Sequence, residues 1–225
     1  MFTLDHVAPW GRSFDEYRRM FALTDADLGR RILGCADGPA SFNAEATERG
    51  STVISCDPIY RYDAEQLRAR IAATYDHILE QTRRNAHEFV WTTIRSAEEL
   101  GEVRMAAMNA FLDDYPDGRV EGRYVDAELP ALPFADGSFD LALCSHFLFL
   151  YSAQLDADFH RLAIGEMCRV AREVRIFPLL TLGATPSPHV EPMLHRFRAD
   201  GFNVSIEDVG YEFQRGGNQM MRITR

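Results

Sequence analysis

Arg31-Ile32-Leu33-Gly34-Cys35-Ala36-Asp37-Gly38-Pro39-Ala40-Ser41-Phe42, continued ten residues on by Thr52-Val53-Ile54-Ser55-Cys56-Asp57-Pro58, is the stretch on which the fold turns. It reads as a strand, a tight glycine turn, a helix, a second strand, and a carboxylate at that strand's end. An open α/β sheet builds a nucleoside seat in this way. Gly34 and Gly38 allow a sharp turn and close approach of backbone to a ligand. Pro39 suits the first position of a helix over about 39–49, where its missing N–H costs nothing. Gly50 then ends that helix. Asp57 follows Gly38 by 19 residues, close to the spacing expected of a ribose-binding acid.

Outward from this core, the pattern continues in alternating elements. Upstream, Phe14 to about Leu23 predicts a helix capped by Ser13. Downstream, Leu67, Ile71, Ile78 and Leu79, and then Leu100, Val103, Met108, Phe111 and Leu112, recur at helical spacing. Two amphipathic helices are therefore expected in about 62–115, and Pro116-Asp117-Gly118 should close them with a turn. This insertion, over 60–116, is longer than one crossover helix, and excursions of that size are usually functional. Strands follow over about 123–126, 139–144 and 174–180, with helices over about 156–171 and 190–200. Residues 203–209 and 218–224 read as a closing antiparallel pair.

Composition narrows the chemistry. Hydrophobic residues make up 46% of 225, enough for a sizeable core in one domain of residues 1–225. No apolar run approaches the ~18 residues that span a membrane. Phe2-Thr3-Leu4-Asp5-His6 is too polar for a signal peptide, so a cytoplasmic protein is expected. The four cysteines, at 35, 56, 144 and 168, form no Cys-x-x-Cys pair and read as buried thiols rather than a metal or redox site. The formal charge of −10 disfavours nucleic acid as a partner. All 24 basic residues are arginine. Without lysine, Schiff-base chemistry, pyridoxal phosphate attachment and the Walker phosphate loop are excluded.

Gly34-Cys35-Ala36-Asp37-Gly38 resembles the first motif of class I S-adenosylmethionine-dependent methyltransferases, with Ala36 as its middle residue. Ile32 stands where that family usually has an acid. Asp126 to His146, through Leu129-Pro130-Ala131-Leu132-Pro133-Phe134 and Phe139-Asp140-Leu141, resembles the adenine-contacting loop and fourth strand. Glu166-Met167-Cys168-Arg169-Val170 is similar to the helix leading into the fifth strand. The likeness spans about 30–60 and 122–225. It implies a Rossmann-like, doubly wound, seven-stranded and mostly parallel sheet, with an antiparallel last strand and the helical insertion after strand two.

The resemblance also implies S-adenosylmethionine as cofactor and a set of contacts. Gly34, Cys35, Ala36 and Gly38 would form the turn beneath it. Asp57, followed by Pro58, would take the ribose diol. Asp126 and Ala127 would meet the adenine, and Ser145 would line the cleft after the fourth strand. Residues 1–29 would form a cap, with Tyr17 or Arg12 near the methionine carboxylate and Trp10 as an aromatic neighbour of the sulfonium. His146 is the candidate general base, because imidazole titrates near neutral pH. Asp37, His6 and Tyr151 are lesser candidates. Ser145-His146-Phe147 departs from the Asn/Asp-Pro-Pro of nucleic-acid amino methyltransferases, so a small-molecule acceptor is expected. A nicotinamide dehydrogenase fits poorly, since Ala36 and Pro39 fall where its second and third glycines belong. A non-catalytic module binding the nucleoside or a partner is the remaining alternative.

Overall fold

A ladder of in-register parallel strands organises the chain. In the computed structural model, which describes residues 2–4 and 8–225, β1 (Arg31–Cys35) lies between β2 (Thr52–Cys56) and β4 (Phe139–Ser145). Arg31 pairs with Thr52 and Cys35 with Cys56 on one side, and Cys35 with Cys144 on the other. β3 (Tyr124–Val125) joins beyond β2, and β5 (Ala171–Phe177) beyond β4. β7 (Gln219–Thr224) runs antiparallel between β5 and β6 (Asn203–Asp208). The order 3-2-1-4-5-7-6 is the seven-stranded arrangement implied by the resemblance. β1 and β4 are buried almost along their whole length, as expected of strands covered on both faces.

Among the described residues, seven α-helices flank the sheet. α1 (Phe14–Met20) has Ser13 and Glu16 as a capping box. A one-turn α2 (Asp25–Leu28), capped by Thr24 and Asp27, was not expected from the sequence. α3 (Phe42–Glu48) follows the glycine turn. α6 (Ala157–Val170) runs directly into β5, and α7 (Val190–Ala199) precedes β6. The insertion is two long helices, α4 (Ala64–Arg84) and α5 (Ala97–Val120). Their apolar stripes supply the buried Leu67, Ile71, Met108, Phe111 and Leu112. No helix among the described residues is long and apolar enough to cross a membrane.

Three boundaries differ from expectation. α3 starts at Phe42, with Ser41 at its N-cap, so Pro39 stands in the loop rather than at the first helical position. Pro116 does not end α5, which continues to Val120 before the chain turns at Gly122, where φ is +76°. A proline inside a helix loses one backbone hydrogen bond and crowds the carbonyl four residues back, and here the burial of Tyr115 and Gly118 on either side offsets that. Gly118 then lets the helix sit against Tyr124: a Cβ there would come within 2.4 Å of that ring. β5 begins at Ala171 and stops at Phe177, because Pro178 has no N–H for the ladder.

Candidate functional site

The turn after β1 carries the first features of the site. Ala36 and Gly38 both have φ of +55°, so alanine holds a left-handed conformation that favours glycine. Ala36 N–H donates to the Cys56 carbonyl at 2.8 Å. The Asp37 carboxylate folds back over Gly34, where a Cβ would lie 1.7 Å from its oxygen. It accepts from Tyr17 Oη at 2.8 Å and Ser55 Oγ at 2.6 Å. Burial nevertheless raises its pKa to about 6.

Asp57, at the end of β2, accepts from Gly38 N–H and Ile59 N–H, both at 2.9 Å. Its carboxyl is also pushed up to about 6, first by burial and then by the carboxylates of Asp37 and Glu128, against the two hydrogen bonds. Each carboxylate oxygen has one backbone partner and therefore a further acceptor position.

These groups border a cavity of about 570 Å³ at the C-terminal edge of the sheet. Open α/β folds bind ligands at that edge, and the volume lies in the ~300–1,000 Å³ range of small-ligand sites. Its floor is residues 36–40 and 57–59. One wall is Ala127, Glu128, Leu129 and Pro130, with Leu155 and Phe159; another is Ser145, His146 and Phe147. Ala8, Pro9, Trp10, Arg12 and Tyr17 close it from the N-terminal segment. That segment lies tightly on the turn. A Cβ on Gly11 would be 2.0 Å from the Pro39 carbonyl oxygen, and Ser41 N–H donates to the Arg12 carbonyl at 3.1 Å.

The sequence-predicted residues thus divide. Ala36, Gly38, Asp57, Pro58, Ala127, Ser145, His146 and Tyr17 line the cavity. Gly34 is set beneath it by the fold-back of Asp37, and Cys35 is fully buried in the sheet. Asp126 is exposed and 3.8 Å from Arg61, away from the lining. His6 lies outside the described residues.

A second, narrower cavity of about 90 Å³ adjoins the first. Ala8, Trp10, Arg12 and His146 line both. Its walls are chiefly apolar: Phe2, Leu4, Ile78, Phe89, Leu100, Leu150, Leu182 and Phe213. Tyr151, a lesser candidate, lines it and donates nothing to the larger cavity; its hydroxyl accepts from Ala8 N–H at 3.2 Å.

His146 stands at the junction with φ of +52°, a strained conformation that recurs at functional sites. Its Nδ1 is 2.8 Å from Ser145 Oγ. Burial, then the charges of Arg12 and Arg104, hold its pKa well below the ordinary 6.5, so the ring is neutral at neutral pH.

Arg104 on α5 also reaches the smaller cavity. Its side chain is 1% exposed and donates to Glu16 Oε2 at 2.6 Å and to Tyr211 Oη at 3.5 Å. Tyr211 Oη in turn donates to Glu16 Oε1 at 2.8 Å. Burial alone would raise the Glu16 pKa, but Arg104 holds it at about 2. Arg12 donates Nη1 to the Trp10 carbonyl at 2.9 Å, and burial with the repulsion of Arg104 lowers its pKa to about 10. Among the described residues, the Nε atoms of Arg12 and Arg104 are the buried side-chain polar atoms without a partner. Sequence reasoning missed the Arg104–Glu16–Tyr211 cluster. The available signal was an arginine within the apolar stripe running from Leu100 to Met108.

No family model matches the chain. It is 33% identical over 216 residues, 96% of its length and 95% of the other's, to the uncharacterized protein MJ0045 of Methanocaldococcus jannaschii. Among solved structures, it resembles the bifunctional kinase-methyltransferase WbdD with a TM-score of 0.51 and 12% identity, over 94% of this chain and 38% of that one. It resembles the mitomycin 7-O-methyltransferase MmcR with a TM-score of 0.50 and 11% identity, over 94% and 53% respectively. This chain therefore spans about half or less of either solved chain, and at such identities the likeness is one of fold.

Proposed function

Because this chain belongs to the family of MJ0045 and has the fold of class I S-adenosylmethionine-dependent methyltransferases, we propose that it binds S-adenosylmethionine in the larger cavity and methylates a small molecule held in the smaller one. The observation that carries this reading is Asp57, buried at the end of β2 and fixed by Gly38 N–H with acceptor capacity to spare.

The residues present suit each part of the cofactor. Asp57 would accept from the ribose hydroxyls, with Pro58 behind it. Asp37, a buried carboxylate beside the glycine turn, would take the ammonium in place of the acid missing at Ile32. The partnerless Nε of Arg12 would donate to the amino-acid carboxylate, with Tyr17 holding Asp37 in place. Ala127, Leu129 and Phe159 would flank the base. Gly34 and Cys35 support the turn from below, and Asp126 would have to rotate inward to reach the adenine.

When bound, the cofactor supplies a methyl group already activated on a sulfonium. The work left to the chain is alignment, which contributes roughly 7–11 kcal/mol in well-oriented systems. Trp10 and Ala8 border both cavities and would shield their junction from water. With Nδ1–H donating to Ser145 Oγ, His146 Nε2 carries the lone pair that takes a proton from an acceptor that must lose one. The low basicity of His146 keeps this nitrogen unprotonated at neutral pH.

Titration calorimetry with S-adenosylhomocysteine and with NAD tests the reading. Saturable binding of the first and none of the second is expected. Equal affinity for both, or binding of neither, would remove the assignment.

A further inference from the structure

Resting on that methyltransferase reading, we infer that the acceptor is a small apolar molecule bearing a carboxylate, seated in the narrow cavity with Arg104 as its charge partner.

Charge supports this assignment. Among the described residues lining the narrow cavity, Arg12 and Arg104 carry charge and no acid does. The larger cavity differs, since Asp37, Asp57 and Glu128 border it. The two spaces therefore suit ligands of opposite character: a cation with hydroxyls in the larger, and an anion in the smaller. Arg104 is paired with Glu16, and Arg12 faces the cofactor's carboxylate in the proposed complex, so among the described residues the donor left to this cavity is Arg104 Nε. Arg12 borders both cavities, whereas Arg104 borders only the smaller.

The hydrogen-bond inventory points the same way. Arg104 uses Nη1 on Glu16 and Nη2 on Tyr211, which fixes the plane of its guanidinium. Its Nε is buried with no acceptor among the described residues. A buried donor left without a partner destabilises the structure, and an anionic ligand would supply the missing acceptor. Around this polar end, Phe2, Phe89, Leu182 and Phe213 offer only apolar contact. At about 90 Å³ the space holds several water-sized groups, which limits the enclosed part of the acceptor to one ring or a short branched chain.

Benzoate, benzamide and benzylamine share one shape and differ in charge. Their binding to the full chain is measured by calorimetry with and without S-adenosylhomocysteine. Benzoate should bind at least about tenfold more tightly than either analogue, the worth of one charge-assisted hydrogen bond. Arg104→Lys keeps the charge opposite Glu16 but removes Nε, and should weaken benzoate by a similar factor. Leu182→Trp fills the half-buried apolar wall and should abolish benzoate binding while leaving S-adenosylhomocysteine affinity within about twofold. Thermal melts verify that each variant folds, and Leu182→Trp decides alone if Arg104→Lys does not. Benzamide or benzylamine binding as well as benzoate, no saturable benzoate binding, or benzoate binding unaffected by Leu182→Trp would each overturn the inference. Loss of S-adenosylhomocysteine binding alone would instead sink the methyltransferase reading.

Discussion

Asp57→Asn should make the protein more stable and a poorer binder at once. At neutral pH the buried carboxylate is ionised although its pKa has moved from the ordinary 3.8 to about 6. That difference corresponds to roughly 3 kcal/mol by which ionised Asp57 disfavours the folded state. Asparagine removes the charge but presents only one acceptor oxygen to the two N–H groups of Gly38 and Ile59. Losing one such bond costs about 1 kcal/mol or somewhat more. The net expectation at pH 7 is a gain of about 1–2 kcal/mol, or roughly 2–8 °C in Tm for a chain of this size. In the proposed site, the same change removes a charged acceptor from a ribose hydroxyl. That loss is about 1.5–3 kcal/mol, so S-adenosylhomocysteine should bind roughly ten- to a hundredfold more weakly. The stability gain is tied to ionisation. A raised carboxyl pKa disfavours the folded state fully above about 6, and this penalty fades as pH falls toward 3.8. The Tm advantage of Asp57→Asn should therefore shrink as pH falls from 7 toward about 4. Differential scanning fluorimetry and titration calorimetry on one preparation read both effects. A lower Tm with unchanged affinity would refute both the electrostatic argument and the ribose assignment.

Three further outcomes are expected. Affinity for S-adenosylhomocysteine should fall below pH 6, since Asp37 and Asp57 must then release protons to meet the ligand; each contributes up to about tenfold per pH unit, and a flat calorimetric profile from pH 5 to 7.5 would contradict this. Gly11→Ala places a methyl against the Pro39 carbonyl and should lift the N-terminal segment, weakening cofactor affinity with little change in far-UV circular dichroism; unaltered affinity would show that this contact does not shape the site. Arg104→Met leaves Glu16 buried without its cation and should cost about 3–5 kcal/mol in urea unfolding, and wild-type stability would rule out the ion pair as a structural element.

Much of the fold was legible because the relevant signals are local. β1, β2 and β4 are short apolar runs bounded by glycine or aspartate, and the observed strands match the expected spans to within one residue. The stripes from Leu67 to Leu79 and from Leu100 to Leu112 marked α4 and α5 for the same reason. Boundaries failed where tertiary contacts outweighed propensity. Pro116 was tolerated inside a helix, and the chain from Ala36 to Ala40 was drawn into the cavity floor instead of extending α3. The candidate site was legible where a short sequence spacing links its parts, as with Gly38 and Asp57, 19 residues apart. Glu16 reaches across 88 residues to Arg104 and 195 to Tyr211, and no spacing rule foretells such partners. Only the misfit of Arg104 within an apolar stripe hinted at them. Asp126 shows the reverse case: a motif position whose side chain turns outward to Arg61.

The tether between α5 and α1 bears on how the proposed acceptor cavity could be re-engineered. The hairpin of α4 and α5 invites transplantation as a cassette, yet Arg104 anchors it to a carboxylate contributed by the first helix. A graft whose donor lacks that arginine would strand Glu16, 3% exposed, without its cation. Successful chimaeras would have to exchange residues 13–20 together with the hairpin, making the two segments a single heritable cartridge.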